Sequence, residues 1–145
     1  MNGPPPEFLR EEDVKTILAD YLQSKGFTIR RAPPGGRGDD IAALSPQGWT
    51  LRVEVKGEGY SRRFNQGEIC QRVTSAVFFQ LRSAHASKRR NGKDVYGLAF
   101  PENALYRIYL TEDMTDLLVV GHELLVFFIS RDGSVELYGN DALLT

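Results

Sequence analysis

Three residues have the types and spacing for a single kind of chemistry: Asp40, Glu54 and Lys56. If Trp49–Lys56 is a strand, its side chains alternate between faces. Trp49, Leu51, Val53 and Val55 then share an apolar side, while Thr50, Arg52, Glu54 and Lys56 share a polar one. A second strand, Asp40–Leu44, precedes it across Ser45-Pro46-Gln47-Gly48, which is turn chemistry. With Pro46-Gln47-Gly48 as a three-residue loop, Ser45 faces Trp49, and counting back sets Asp40 opposite Glu54. Directly paired residues share a face, with Cβ atoms ~4.5–5.5 Å apart. A slip of one residue would bring Asp39 there instead, so the register decides which aspartate is used.

Two carboxylates that close repel one another when both are ionised, unless a cation sits between them. Mg²⁺ suits such a site, because it takes oxygen ligands, typically one or two carboxylates with water and substrate phosphate. An ion of this kind activates water and stabilises the developing charge of a phosphodiester displacement. Asp40 and Glu54 are therefore candidate metal ligands, and the Val55 carbonyl lies where it could be a third. Lys56 would orient or deprotonate the attacking water, or hold the phosphate charge. An ordinary surface hairpin explains the pattern poorly, because an acid–acid cross-strand pair is destabilising without compensation.

Several elements must position these groups. Val14, Ile17, Leu18, Tyr21 and Leu22 recur at helical spacing and predict a helix over Phe8–Lys25, with acidic Glu11, Glu12 and Asp13 in its first turn and Gly26 after it. A short strand, Phe27–Arg31, follows, and then a proline- and glycine-rich loop, Ala32–Gly38. After the hairpin, Gln66–Ala86 reads as a second helix, with Asn65 and Glu68 as a capping pair. Lys88–Lys93 reads as a basic loop, Val95–Phe100 and Tyr106–Leu110 as strands, and Asp113–Val120 as a short helix. Leu124–Ser130 and Val135–Tyr138 read as a hairpin around Arg131-Asp132-Gly133. The expectation is an α/β (α+β) domain with a mixed sheet over residues 8–145, preceded by an extended proline leader over residues 1–7.

The 145 residues, 41% hydrophobic and 26% charged, suit one soluble domain with one core. No apolar run reaches the ~18 residues of a membrane span, and the first residues lack the pattern of a secretory signal. Cys70 is the only cysteine, which excludes an intrachain disulfide and fits a cytoplasmic setting. The formal net charge of −1 hides an uneven distribution: residues 1–29 carry −2, residues 30–93 carry +8 and residues 94–145 carry −7. The middle segment can attract a polyanion. Arg37, Arg62, Arg63, Lys88, Arg89, Arg90 and Lys93 are the candidate phosphate contacts, with Tyr60 and Phe64 able to stack on bases. His85 and His122 lie in no metal-ligand spacing, and neither a serine elbow nor a Walker loop is present.

The run Gly38-Asp39-Asp40-Ile41-Ala42, followed by Arg52-Val53-Glu54-Val55-Lys56-Gly57, resembles the PD-(D/E)xK, or restriction-endonuclease-like, nuclease superfamily. The helix ending in Gly26-Phe27 is similar to that of small members such as archaeal Holliday-junction resolvases. The resemblance covers about Glu11 to Arg82, and Asp39 stands where that family often has proline. It implies a mixed four-stranded sheet within an αβββαβ core, here with a C-terminal β-hairpin extension. It implies Mg²⁺-dependent hydrolysis of DNA, with Mn²⁺ as a substitute, in repair, recombination or defence. Asp40 and Glu54 match the metal ligands and Lys56 the catalytic lysine. Many members add a glutamate from the first helix, for which Glu12 is the candidate and Glu11 the alternative. Some add a glutamine after the lysine, for which Gln71 or Gln66 could serve. A homodimer would let two such domains reach both strands of a duplex. The contrasting expectation is a catalytically inactive nucleic-acid-binding module or assembly subunit of the same fold.

Overall fold

The computed structural model describes residues 8–31, 39–58, 66–90 and 92–140. The first helix, α1, runs Glu11–Ser24 and is followed by strands β1 (Thr28–Arg31), β2 (Ile41–Leu44) and β3 (Thr50–Val55). Helix α2 (Gln66–Arg89) leads to β4 (Val95–Pro101), and short helices α3 (Ala104–Tyr109) and α4 (Glu112–Asp116) follow. A wider π-type turn, Leu117–Gly121, precedes β5 (Leu125–Ile129) and β6 (Val135–Tyr138). The six strands form one mixed sheet in sequence order. β1, β2 and β3 are antiparallel neighbours, β3, β4 and β5 run parallel, and β6 returns antiparallel to β5. The hairpin extension thus joins the sheet, making it six-stranded rather than four-stranded.

Helix α1 begins after Arg10, whose amide donates to Asp13 Oδ2 at 3.0 Å. It ends in a Schellman motif: Phe27 N–H donates to Leu22 O and Gly26 N–H to Gln23 O, with Gly26 at φ +93°. Its buried Val14, Ile17, Leu18 and Leu22 pack with Ile41, Leu51, Val53, Val55 and Phe127 on one face of the sheet. On the other face, Ile69, Val73 and Ala76 of α2 pack with Tyr96, Leu98, Phe100, Tyr106 and Phe128. Gln80 fastens α2 to the sheet: its Nε2 donates to Arg52 O at 3.0 Å and Gly97 O at 2.6 Å.

Two expectations are corrected. Tyr106–Leu110 is not a strand, because the residues that alternate are not the ones that are buried. Tyr106 and Leu110, four apart, are buried, whereas Ile108 between them is 48% exposed. That is a helical period, and Asn103 caps the helix by accepting from Tyr106 N–H at 2.8 Å. Helix α2 also runs past Ala86, so Lys88 and Arg89 form its last turn, where positive charge is favourable, rather than a loop. The leader over residues 1–7, the loop Ala32–Gly38, Tyr60, Phe64 and the Asn65 cap lie outside the described residues. No described helix is long and apolar enough to cross a membrane.

The end of β3 is clamped to the start of α1. A Cβ on Gly57 would overlap the Glu11 amide nitrogen and the Arg10 carbonyl carbon, so only glycine permits the approach. Glu58 N–H donates to Leu9 O at 2.6 Å, and Leu9 N–H donates to Glu58 Oε1 at 2.8 Å. The buried Glu58 carboxylate also accepts from Asn103 Nδ2 at 2.6 Å and Arg131 Nη2 at 3.3 Å. Tyr106 Oη donates to Gly57 O at 2.6 Å. One short segment therefore joins α1, β3, α3 and the β5–β6 turn. Gly57→Ala should destabilise the fold by about 2–3 kcal/mol, since both clashing partners are backbone; equilibrium urea denaturation measures this.

Candidate active site

The register places the acidic groups. Ile41 pairs with Val53 at the end of the β2–β3 ladder, and this count sets Asp40, next along, beside Glu54, whose carboxyl it reaches within hydrogen-bonding distance. The turn geometry supports this count: Ser45 N–H donates to Trp49 O at 2.8 Å and Gly48 has φ +96°. Asp39 is taken by Arg52, whose Nη1 lies 2.7 Å from its Oδ2, while Arg52 Nε lies 2.8 Å from Asp94 Oδ2. Asp40 instead turns to the end of β3, where its Oδ2 accepts from Val55 N–H at 2.8 Å. In a strand the N–H and C=O of one residue point to the same side, so the Val55 carbonyl also faces the side on which Asp40 lies.

Glu54 and Lys56 share the polar face, with Lys56 Nζ 3.6 Å from Glu54 Oε1. Burial, and then the neighbouring Asp40 carboxylate within hydrogen-bonding reach, push the Glu54 carboxyl up to about 7, against the opposing pull of Lys56. Glu11 adds a smaller upward push, so its charge is felt at this carboxyl. Glu12, the favoured first-helix candidate, points elsewhere: its Oε2 lies 2.9 Å from Arg31 Nη2 and its Oε1 3.0 Å from Lys15 Nζ. Those partners hold its carboxyl below the usual range, the Lys15 hydrogen bond most strongly. Of the two glutamates, Glu11 is the one placed to act on the pair, because the Gly57 contact brings the α1 N-terminus to the end of β3.

Sequence reasoning missed Lys15. It is 1% exposed, and its Nζ lies 3.7 Å from Asp40 Oδ1, 3.6 Å from Glu11 Oε2 and 3.0 Å from Glu12 Oε1. Burial alone would lower its pKa, but the Glu12 hydrogen bond and the charges of Asp40 and Glu11 outweigh this and raise it. The signal was available: position 15 stands four after Glu11 and three before Leu18, on the stripe of α1 that faces inward. Glu58 and its partner Arg131 were missed as well, because their contact spans 73 residues.

The other predicted residues are dispersed. Gln71 is exposed on α2, and no hydrogen bond or ion pair among the described residues joins its side chain to the carboxylates. The Gln66 side chain, Arg37, Arg62 and Arg63 lie outside the described residues. The basic cluster divides: exposed Lys88 pairs with Glu123 at 3.4 Å, so an acid distant in sequence neutralises it. Lys88 and Lys93 line a cavity of about 450 Å³ with His122 and Leu124, whereas Arg90 lines a separate groove with Arg52. Arg89 is exposed at the end of α2.

Chemically, the arrangement offers two oxygen-donor carboxyls on adjacent strand ends, a carbonyl on the same side and an ammonium beside them. No group of three or more acidic, histidine or cysteine side chains close enough to enclose a metal occurs among the described residues. Two carboxylates with water nevertheless suit Mg²⁺, which keeps much of its hydration. No protein-family profile, curated protein or solved structure matches the chain.

The raised Glu54 carboxyl has a signed consequence for stability. Between its ordinary value of 4.5 and about 7, the folded state holds a proton that the unfolded state has released. Stability should therefore fall as pH rises through this window and level off above it. Glu54→Gln should remove that component, so the stability difference between variant and parent should grow from about pH 4.5 to about pH 7, as read by denaturation in chelator.

Proposed function

We propose that the chain is a metal-dependent nuclease hydrolysing phosphodiester bonds in DNA, with Asp40 and Glu54 as metal-binding carboxylates and Lys56 as the catalytic ammonium. The observation that carries this reading is the carboxyl pair at adjacent strand ends, with Glu54 raised to about 7 and Lys56 3.6 Å from it. A pair so arranged is destabilising by itself and has a use once a cation neutralises it. The resemblance of Asp40-Ile41 and Glu54-Val55-Lys56 to PD-(D/E)xK enzymes supports the same assignment.

Asp40, Glu54 and the Val55 carbonyl would hold Mg²⁺ or Mn²⁺, with Glu11 close enough in charge to act through water. When bound, the cation polarises water and phosphate. The protein's own groups do the remaining work. Glu54 releases its proton as the site fills. Asp40 is held in orientation by Val55 N–H and Lys15. Lys56, on the face shared with Glu54, orients the attacking water and balances charge that develops on the phosphate.

A second reading is a non-catalytic nucleic-acid-binding module. It is favoured by Lys15, whose ammonium already supplies Asp40 with a positive partner at 3.7 Å. Calorimetry separates the two. On the nuclease reading, Mg²⁺ affinity should rise about tenfold per pH unit up to about 7 and then flatten, because one proton leaves Glu54. Absence of Mg²⁺ or Mn²⁺ binding at about pH 8 leaves the second reading. With either metal the protein should cleave DNA, and Lys56→Ala should lower the rate at least about a hundredfold while circular dichroism and DNA binding stay unchanged. Equal cleavage by the variant would overturn the role of Lys56.

A further inference from the structure

A groove of about 500 Å³ lies between α2 and the polar side of β3 and β4. Its α2 wall carries Phe79, Arg82 and Arg90, and its floor carries Arg52, Asp39 and Tyr96. Phe79 and Arg82, three apart, share one stripe of α2, and Arg90 follows just past its last residue, Arg89. Arg52 is two residues before Glu54 on the same strand face, about 7 Å along the strand. Asp39 is the immediate neighbour of Asp40. The groove thus runs from the basic end of α2 to residues that adjoin the carboxylate pair in sequence, Asp39 and Arg52.

We infer that this groove is a track for a single nucleic-acid strand with unpaired bases, delivering its phosphodiester to Asp40 and Glu54. The inference rests on the nuclease reading only for what happens at the end of the track. Three observations select the ligand. Arg52 is neutralised between Asp39 and Asp94, and so shapes the floor, whereas Arg82 and Arg90 form no ion pair among the described residues. The lining then carries a net charge of +1, with those two guanidinium groups on the wall and the floor acids held by Arg52. Phe79 is 44% exposed in the wall, and Phe78 beside it is 62% exposed, with the Arg82 guanidinium 5.8 Å from its ring centre. Exposed aromatic rings among arginines offer stacking faces for bases. A paired duplex keeps its base faces inside and presents phosphates, so Phe79 would gain nothing from it. A protein partner could also cover the phenylalanines, but two arginines without an ion pair among the described residues, beside the neighbours of the carboxylates, favour the nucleic acid.

The test is fluorescence anisotropy in chelator with a labelled oligothymidine of roughly 15 nucleotides and a blunt hairpin duplex of similar length. The wild-type protein should bind the single strand more tightly. Phe79→Ala with Arg82→Ala should weaken that binding at least about tenfold and change duplex binding less than about twofold. Arg82→Ala with Arg90→Ala should reduce the slope of log affinity against log salt for the single strand by about 1.4. All three side chains are exposed, and thermal melting checks that the variants fold. Equal or tighter duplex binding, unchanged single-strand affinity in the variants, or binding of neither nucleic acid overturns the inference. The nuclease reading fails separately. A wild-type protein that binds the strand through this groove but does not cleave it with Mg²⁺ or Mn²⁺ keeps the track and loses the nuclease. Cleavage of the strand that is indifferent to Phe79→Ala with Arg82→Ala does the reverse.

Discussion

The arrangement depends on the contact between Gly57-Glu58 and the N-terminus of α1. Backbone meets backbone at Gly57, where no side chain fits. The buried Glu58 carboxylate satisfies the Leu9 amide, Asn103 and Arg131 at once. A buried carboxylate is costly without such partners, and losing any one leaves an uncompensated charge or donor. Because the segment continues directly from Glu54 and Lys56, the same contact that closes the fold sets the distance between α1 and the carboxylate pair. The positive end of the helix dipole also comes to the acidic cluster, where it favours negative charge.

Around that contact the electrostatics are arranged in opposed halves. Glu12 has Arg31 and Lys15, and Asp39 has Arg52, so these acids are settled. Glu54 is different: half-buried beside Asp40, it holds its proton to about 7 despite Lys56. The structure keeps one carboxyl unsettled amid several that are paired. That difference in environment, more than the count of acids, distinguishes a group available for exchange from groups that hold the fold.

Much of this was legible from local pattern. The hairpin register followed from Ser45-Pro46-Gln47-Gly48 and apolar alternation, because turn length and strand period act over a few residues. The β5–β6 hairpin followed for the same reason. The failures have a common cause too. Tyr106, Ile108 and Leu110 alternate on paper, and only burial distinguishes a two-residue period from a helical one in so short a run. Glu12 and Glu11 are equivalent as sequence, and the choice between them depends on Arg31 and Gly57, which lie elsewhere in the chain. Lys15 lies on the inward stripe of α1, but its charge masked that position until the fold brought three acids around it. The groove along α2 was invisible because Phe79 and Arg82 are unremarkable helix residues until β3 runs beside them.

The site is also assembled over two very different chain lengths. The Asp40–Val55 hydrogen bond closes a loop of 15 residues, whereas Leu9–Glu58 spans 49 and Arg131–Glu58 spans 73. Loop-closure entropy grows with the logarithm of that separation, and contacts close in sequence form fastest. The carboxyl pair belongs to a hairpin that can form early, while Glu11 and Lys15 arrive only when α1 docks. Folding order therefore separates the paired carboxyls from the helix that tunes them. A partial opening that releases α1 would strip the pair of its added acid and its buried ammonium without dismantling the strands that hold it.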